Sequence, residues 1–450
     1  MTVIEYIVQF MNEIKRESLA QDSIAELKCI LTDILGCMVA GADSRQVALV
    51  KQASAEYFGV KTSTLIASNG KKADARNAAM INSMAAHALD FDDYNTELKG
   101  QSSAVIVPVV LALGEKYQIP MTDLMKAVYI GLSVDSVIGR VMFNHSYNKG
   151  WSSTSTLGIF GATAAAGLIM GLSDEELCSA LGIAADESGG VKINYGTYAK
   201  DLCVGHTAYK AIYAAEMAKA GLTANKEALE GKKGMIDAAM KDPEKTKSIA
   251  AALKAELVKH NRARITFKPY PTSRGNHSTL DCVLEIIKNN EIDYKCINKI
   301  ICHVQNTVYD VDHYPFPHNT YQGKFSVRYC IAMMIINGRL STEDFMGNDI
   351  KDPEIIELMN KIDVLIDPGF TDSFYGSEVD ILLTNGMIYS KRCNYAKGSY
   401  ENPMLKEELY LKFNYNIKSK MGAGKADRIL DVIENLENCQ SVMELIDLLG

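Results

Sequence analysis

IAELKCILTDILGCMVA, residues 24–40, carries its apolar side chains three and four positions apart and stops at Gly41. That spacing puts them on one face of a helix, and a glycine just past the last of them is a helix stop. Working outward, the same pattern recurs in Val105–Gly114, Asp123–Gly139, Gly158–Gly171, Asp174–Ala185 and Ala208–Ala220. These segments are rich in alanine and glycine rather than β-branched residues, so the first 265 residues read as helices whose backbones approach closely. GIFGATAAAGLIMG, residues 158–171, has glycines enough for a phosphate loop but neither a GKS/T ending nor a strand before it, so close helix packing is the better reading.

The character changes near Arg264. Ile297–Val308 (INKIICHVQNTV) and Val379–Leu383 bring β-branched residues, and Thr384-Asn385-Gly386-Met387 is a hairpin turn between two strand-like runs. Lys324–Gly338 reads as a helix and Ser341–Phe345 as the start of another, with Ser341 as N-cap. After Asn402-Pro403 the helical spacing returns in Leu405–Phe413, Lys425–Leu436 and Val442–Leu449. The expected fold is therefore mainly α: a large all-helical domain made of residues 1–265 and 401–450, with a smaller α/β domain, 266–400, inserted before the C-terminal helices.

Composition narrows the function. A 450-residue chain with 47% hydrophobic residues can bury one large core and a second smaller one. The net charge of −8, with basic residues scattered rather than clustered, argues against a nucleic-acid partner. No apolar run of about 18 residues is evident, so no membrane span is expected, and the amphipathic start MTVIEYIVQFMNEIKRES is not a signal peptide. Ten cysteines without a CxxC pair fit free thiols in the cytoplasm better than disulfides or a zinc site. Eight scattered histidines without ligand spacing give no metal site.

Four constellations could carry chemistry. His87-Ala88-Leu89-Asp90-Phe91-Asp92-Asp93 crowds three carboxylates and an imidazole at the end of an apolar helix, where mutual repulsion raises the pKa of at least one acid; the alternative is a cap or a solvated turn. The hydroxyl-rich run Gly150–Gly158 (GWSSTSTLG) could present donors to an anion or simply cap the next helix. Lys200 stands just ahead of an alanine-rich helix. Phe267–His277 (FKPYPTSRGNH) gathers cations where the helical part meets the α/β part, a favoured position for ligand clefts.

In order and spacing these blocks resemble the MmgE/PrpD family over nearly the whole chain. Asn82–Asp93 (NSMAAHALDFDD) is similar to its N-G-x-x-x-H-x-L-D-F-D-D signature, and Gly150–Ala166 to its G-(W/F)-H-x-T-x-x-x-G-x-F-G-A-A-x-A-A segment. Ala199-Lys200, Lys268-Pro269-Tyr270-Pro271, Lys324-Phe325-Ser326 and Asn402-Pro403-Met404 resemble further blocks. The resemblance implies an all-helical domain with an α/β lid, assembled as a homodimer and needing no cofactor. It implies a lyase, either dehydratase or decarboxylase, acting on a small di- or tricarboxylic acid.

Carried over residue by residue, it makes Asp90, Lys200 and Lys268 catalytic. The lysines would hold carboxylates, while Asp90, its pKa raised by its acidic neighbours, would move the proton. Tyr94, Gln101, Ser102, Ser152, Thr154, Arg274 and His277 are the expected substrate contacts. Three family histidines are replaced: Gly100 or Gln101 stands at one position, Ser152 at another and Cys203 at a third. Neither serine nor glutamine titrates near neutrality, so another proton carrier is needed, with Tyr94, His145, His206, His277 or an aspartate available. The replacements also leave room for an epimerase or isomerase acting beside a carboxylate, or a homologue that binds without turnover.

Overall fold

The computed structural model describes residues 1–259, 263–311, 314–347, 349–370 and 375–450. The elements used below are helices α1 (Gln21–Gly41), α2 (Ala75–His87), α3 (Ser102–Tyr117), α4 (Met121–Ser146), α5 (Gly158–Met170), α6 (Tyr198–Lys219), α7 (His277–Asn290), α8 (Val327–Asn337) and α9 (Lys406–Met421). The strands are β1 (Ile297–Val304), β2 (Ile362–Ile366), β3 (Ser377–Leu383) and β4 (Ile388–Cys393). The protein is mainly α, as its spacing predicts.

Small residues decide how the helices meet. On α5, a Cβ added at Gly161 would come within 2.2 Å of the Gly131 carbonyl on α4. On α6, one at Gly205 would meet the Met80 carbonyl of α2 at 2.6 Å. Side chains at these points would push the helices apart, so glycine is what allows the approach. The Gly205 contact matters for function because it lays the first turn of α6, with Lys200, beside the last turn of α2, with His87. Helix α2 is started by Asp74, whose carboxylate accepts from the Arg76 and Asn77 amides.

The segment Ser153–Met170 is longer and more apolar than the sequence reading allows, and its mean hydropathy would suit a membrane span. It is instead 89% buried inside the helical layers, which explains why α5 is apolar all round.

Buried apolar side chains form two main cores. One draws on residues from Val3 to Ile265 and again on α9 and the C-terminal helices, through Phe413, Ile417, Ile429 and Leu445. The second runs from Tyr270 to Ile381 and centres on Leu280, Val304 and Ile331. Its sheet has the order β2-β1-β3-β4, with β1 parallel to β2 and antiparallel to β3. The β3–β4 hairpin turns at Asn385-Gly386, where Gly386 takes φ +86°. Burial alternates along β3, and α7 and α8 cover the apolar side.

Two expected helices differ. Ser341 caps only a 3-10 turn, Thr342–Phe345, because the Asp344 carbonyl is taken by the Tyr329 hydroxyl and the Gly347 carbonyl by that of Thr320. Lys324 lies outside α8, which starts at Val327 with Ser326 accepting from the Tyr329 amide. Freed from the helix, Lys324 reaches the Ala88 carbonyl at 2.8 Å.

Candidate functional site

Helix α2 ends at His87, and the chain turns sharply there. Asp90 donates its amide to the His87 carbonyl at 2.9 Å and adopts φ +52°, a left-handed conformation uncommon for a residue with a side chain. The turn aims the Asp90 carboxylate at Lys200 and Lys268, while Asp93 is left beside Asp33 and Asp92. A short antiparallel pair, Tyr94–Asn95 with Ile265–Thr266, then brings Lys268 back onto Asp90.

Asp90 is held by two ammonium groups. Lys268 Nζ donates to its Oδ1 at 2.6 Å and to its carbonyl at 2.9 Å, and Lys200 Nζ lies 3.4 Å from Oδ2. All three residues are buried, Lys268 completely. Burial alone would push the Asp90 carboxyl up, but Lys200, Lys268 and His87 outweigh it and hold the pKa well below the usual carboxylate range. This corrects the expectation that acidic neighbours raise it: Asp90 stays ionised and is no proton carrier near neutrality. The acid that crowding does push up is Asp93, through burial and the charges of Asp33 and Asp92. Nor are Asp92 and Asp93 a solvated turn, since both are fully buried.

His87 completes the chain of contacts. Lys200 donates to its Nε2 at 2.5 Å, and its Nδ1 is 2.8 Å from Asp92 Oδ2. A lysine ammonium can only donate, so Nε2 accepts and Nδ1–H donates to Asp92. Asp92, His87 and Lys200 therefore form a line that ends at the Lys200 ammonium. Burial pulls the Lys200 pKa down, but Asp90, Asp201 and Asp92 outweigh it, and the net shift is upward. His87, Asp90 and Asp92 also bring donor atoms within 4.8 Å of one another, a spacing that could close on a cation. Lys200 and Lys268 already face those donors and supply the compensating positive charge.

A cavity of about 50 Å³ lies in front of Lys200, lined by Asp90, Tyr94, Lys99, Gln101, Tyr147, Tyr195, Lys200, Ser273, Arg274, Gly275, Thr307, Phe325 and Tyr375. Ligand pockets usually run to roughly 300 Å³ or more, so a tricarboxylic acid enters only as lining side chains move aside. Arg274 is well placed for an anion. Its Nη1 donates to His277 Nδ1 at 2.8 Å and to the Lys397 carbonyl at 3.1 Å, while its buried Nη2 has no hydrogen-bond partner among the described residues. Tyr94 and Tyr375 share a 2.8 Å hydroxyl contact, and burial raises the pKa of both, to about 12 for Tyr375.

Of the expected residues, Asp90, Lys200, Tyr94, Gln101 and Arg274 thus meet at one cavity, with Lys268 directly behind Asp90. The others support them. Thr154 clasps Gln101, accepting from its amide at 3.1 Å and donating to its Oε1 at 3.0 Å. Ser102, at the start of α3, accepts from the Asn95 side chain at 3.1 Å, away from the cavity. Ser152 touches Tyr195 rather than the cavity. His277 sits behind Arg274, where burial, Arg274 and Lys268 drive its pKa well below the imidazole range. It is therefore neutral and positions the arginine. His145 and His206 do not line the cavity.

Sequence reasoning passed over His87 as a working group, although it stands in the quoted run, because its partner Lys200 is 113 residues away. Tyr195 and Tyr375 carried no signal at all. Lys324 showed only as part of a family block; burial lowers its pKa to about 8 against the pull of Asp201 and Asp90.

Comparison with known proteins gives the family. Residues 5–248 match the MmgE/PrpD N-terminal domain and residues 270–438 the MmgE/PrpD C-terminal domain. Cis-aconitate decarboxylase of Homo sapiens is 26% identical over 466 residues, covering 100% of this chain and 94% of that protein. Cis-aconitate decarboxylase of Aspergillus terreus is 22% identical, covering 100% and 96%. A mitochondrial 2-methylcitrate dehydratase of Yarrowia lipolytica is 25% identical over a shorter stretch, 25% of this chain and 24% of that protein.

Proposed function

The chain belongs to the MmgE/PrpD family, and on that premise we propose that it is a cofactor-independent lyase acting on a small tri- or dicarboxylic acid, with decarboxylation of a cis-aconitate-like acid the first reaction to test. The observation that carries the reading is the buried line from Asp92 through His87 to the Lys200 ammonium, ending at a cavity that Arg274, its Nη2 without a hydrogen-bond partner among the described residues, also lines.

Each part has a role. Arg274 Nη2 binds a substrate carboxylate, since a guanidinium edge matches its two oxygens. Asp90, fixed as an anion by Lys268, keeps Lys200 charged and oriented. When the bond to the departing carboxyl group breaks, its electron pair stays on carbon, and Lys200 protonates that carbon. Solvent reprotonates Lys200 after the product leaves, and His87 Nε2, its tautomer set by Asp92, accepts from the ammonium and holds it aimed at that carbon. The electrostatic part of this arrangement, a fixed cation facing developing negative charge in a site shielded from water, is usually the largest single contribution to such catalysis. The replaced family histidines are consistent with a proton delivered by Lys200 instead.

The test is incubation of the purified protein in deuterium oxide with cis-aconitate, 2-methylcitrate and a set of simpler dicarboxylates, followed by proton NMR. Deuterium at the carbon vacated by carbon dioxide, or loss of water from the hydroxy acid, supports the reading. Absence of product and of exchange with every acid contradicts it and favours a binding protein.

A further inference from the structure

Lys99 borders two openings at once. It lines the inner cavity with Lys200 and Arg274, and it lines an outer cleft of about 720 Å³ of mixed charge, with Arg140 and Arg264 beside Glu26, Glu97 and Glu401. Its side chain therefore stands where the cleft meets the cavity. Its ammonium takes part in none of the ion pairs or side-chain hydrogen bonds found among the described residues and stands over the Phe143 ring, 4.4 Å from the centroid. Its backbone is left-handed, with φ +49°. The other cations of the outer cleft are committed: Arg140 pairs with Glu97 and Glu256, and Arg264 with Glu97.

The neighbours of Lys99 cannot supply a charge. Gly100 has no side chain, and a Cβ there would lie 2.6 Å from Thr154 Oγ1. Gln101 is neutral and held by Thr154. A polycarboxylate seated with one carboxylate on Arg274 and its reacting carbon near Lys200 still carries a carboxylate toward the cleft.

We propose that Lys99 binds this outward carboxylate and so selects acids with a further carboxylate over shorter ones. The inference rests on the proposed function for the orientation of the acid, and not for the binding itself. Burial lowers the basicity of Lys99, and none of the glutamates lining the cleft forms an ion pair with it, so an incoming carboxylate is the partner it lacks. The Phe143 ring faces the ammonium, and methionine at position 99 would keep an apolar contact with the ring while removing the charge.

The experiment compares wild type, Lys99→Met and Lys99→Arg by isothermal titration with tricarballylate, a saturated tricarboxylate, and with glutarate, and by steady-state kinetics on whichever acid is turned over. Lys99→Met is expected to weaken tricarballylate binding roughly 10- to 100-fold, the worth of one charged hydrogen bond, and glutarate binding far less. Lys99→Arg should restore most of the loss. In kinetics the loss should fall on KM with kcat little changed. Equal weakening for both acids, or none, overturns the role of Lys99. Catalysis without a Lys99 effect overturns this inference alone, binding with a Lys99 effect but no catalysis overturns the lyase reading alone, and no binding by wild type overturns both.

Discussion

Asp90 and Asp93 are three residues apart, both buried, and opposite in character. Asp90 faces Lys200 and Lys268 and is held as an anion. Asp93 faces Asp33 and Asp92, with Lys412 shared among them; Lys412 sits 2.6 Å from Asp33 and donates to the Phe91 carbonyl at 2.6 Å. There burial and like charge win, and the pKa goes up. Density of acids in the sequence does not decide which one holds a proton. What decides is the side of the turn on which the lysines arrive, and they arrive from residues 200, 268 and 412.

The largest effect that could break this comparison is on folding. Lys268→Met would leave Asp90 buried with Lys200 alone, 3.4 Å from its other oxygen, and losing one partner of a buried pair typically costs about 3–5 kcal/mol of stability. Urea unfolding should show that loss for Lys268→Met and a smaller one for Lys412→Met, whose acids already lean toward the neutral form. Equal losses would mean that the two clusters are alike. Next comes catalysis: Lys200→Ala should keep the fold and lower turnover of the acid identified as substrate roughly 100- to 1,000-fold. Wild-type rates would remove Lys200 from the mechanism. His87→Gln keeps an acceptor but loses the Asp92-fixed alignment of the Lys200 ammonium, and should lower kcat roughly 10- to 100-fold with KM little changed. An effect confined to KM would make His87 a binding group.

The smallest effect has the clearest sign. Because the folded pKa of Asp93 is raised, its contribution to stability is fully present below the unfolded value, about 3.9, and is lost as pH rises through the folded value. Asp93→Asn should therefore gain stability relative to wild type from acid toward neutral pH. Asp90 runs the other way: its folded pKa is depressed, so its contribution is present above about 3.9 and lost as pH falls through the folded value. The destabilisation caused by Asp90→Asn should be greatest near neutrality and fade in acid. Thermal melts of both variants across that range check the pair of slopes.

Much of this architecture is legible in the chain. The three- and four-residue apolar spacing finds the helices, and Asn385-Gly386 finds the hairpin, because both are local. Ser341 misleads, since its turn is cut short by Tyr329 and Thr320 from other elements. For the site, the resemblance points to Asp90, Lys200 and Lys268, but not to how they are charged. The acidic run suggested a raised pKa at Asp90 because the partners that reverse it lie 110 and 178 residues downstream. The same distance hides the work of His87. Ser102, Ser152 and His277 were expected at the substrate and instead brace Asn95, Tyr195 and Arg274, a difference that depends on side-chain direction and not on sequence position.

The central claim is that one turn separates an aspartate held as an anion from one whose pKa burial and like charge push up. Infrared difference spectra of protein labelled with carboxyl-carbon-13 aspartate, recorded at neutral pH for wild type against Asp90→Asn and against Asp93→Asn, test it most directly. The account predicts that Asp93→Asn removes a protonated carboxyl stretch and that Asp90→Asn removes only ionised carboxylate bands. A protonated band lost with Asp90→Asn, or none lost with Asp93→Asn, would contradict it.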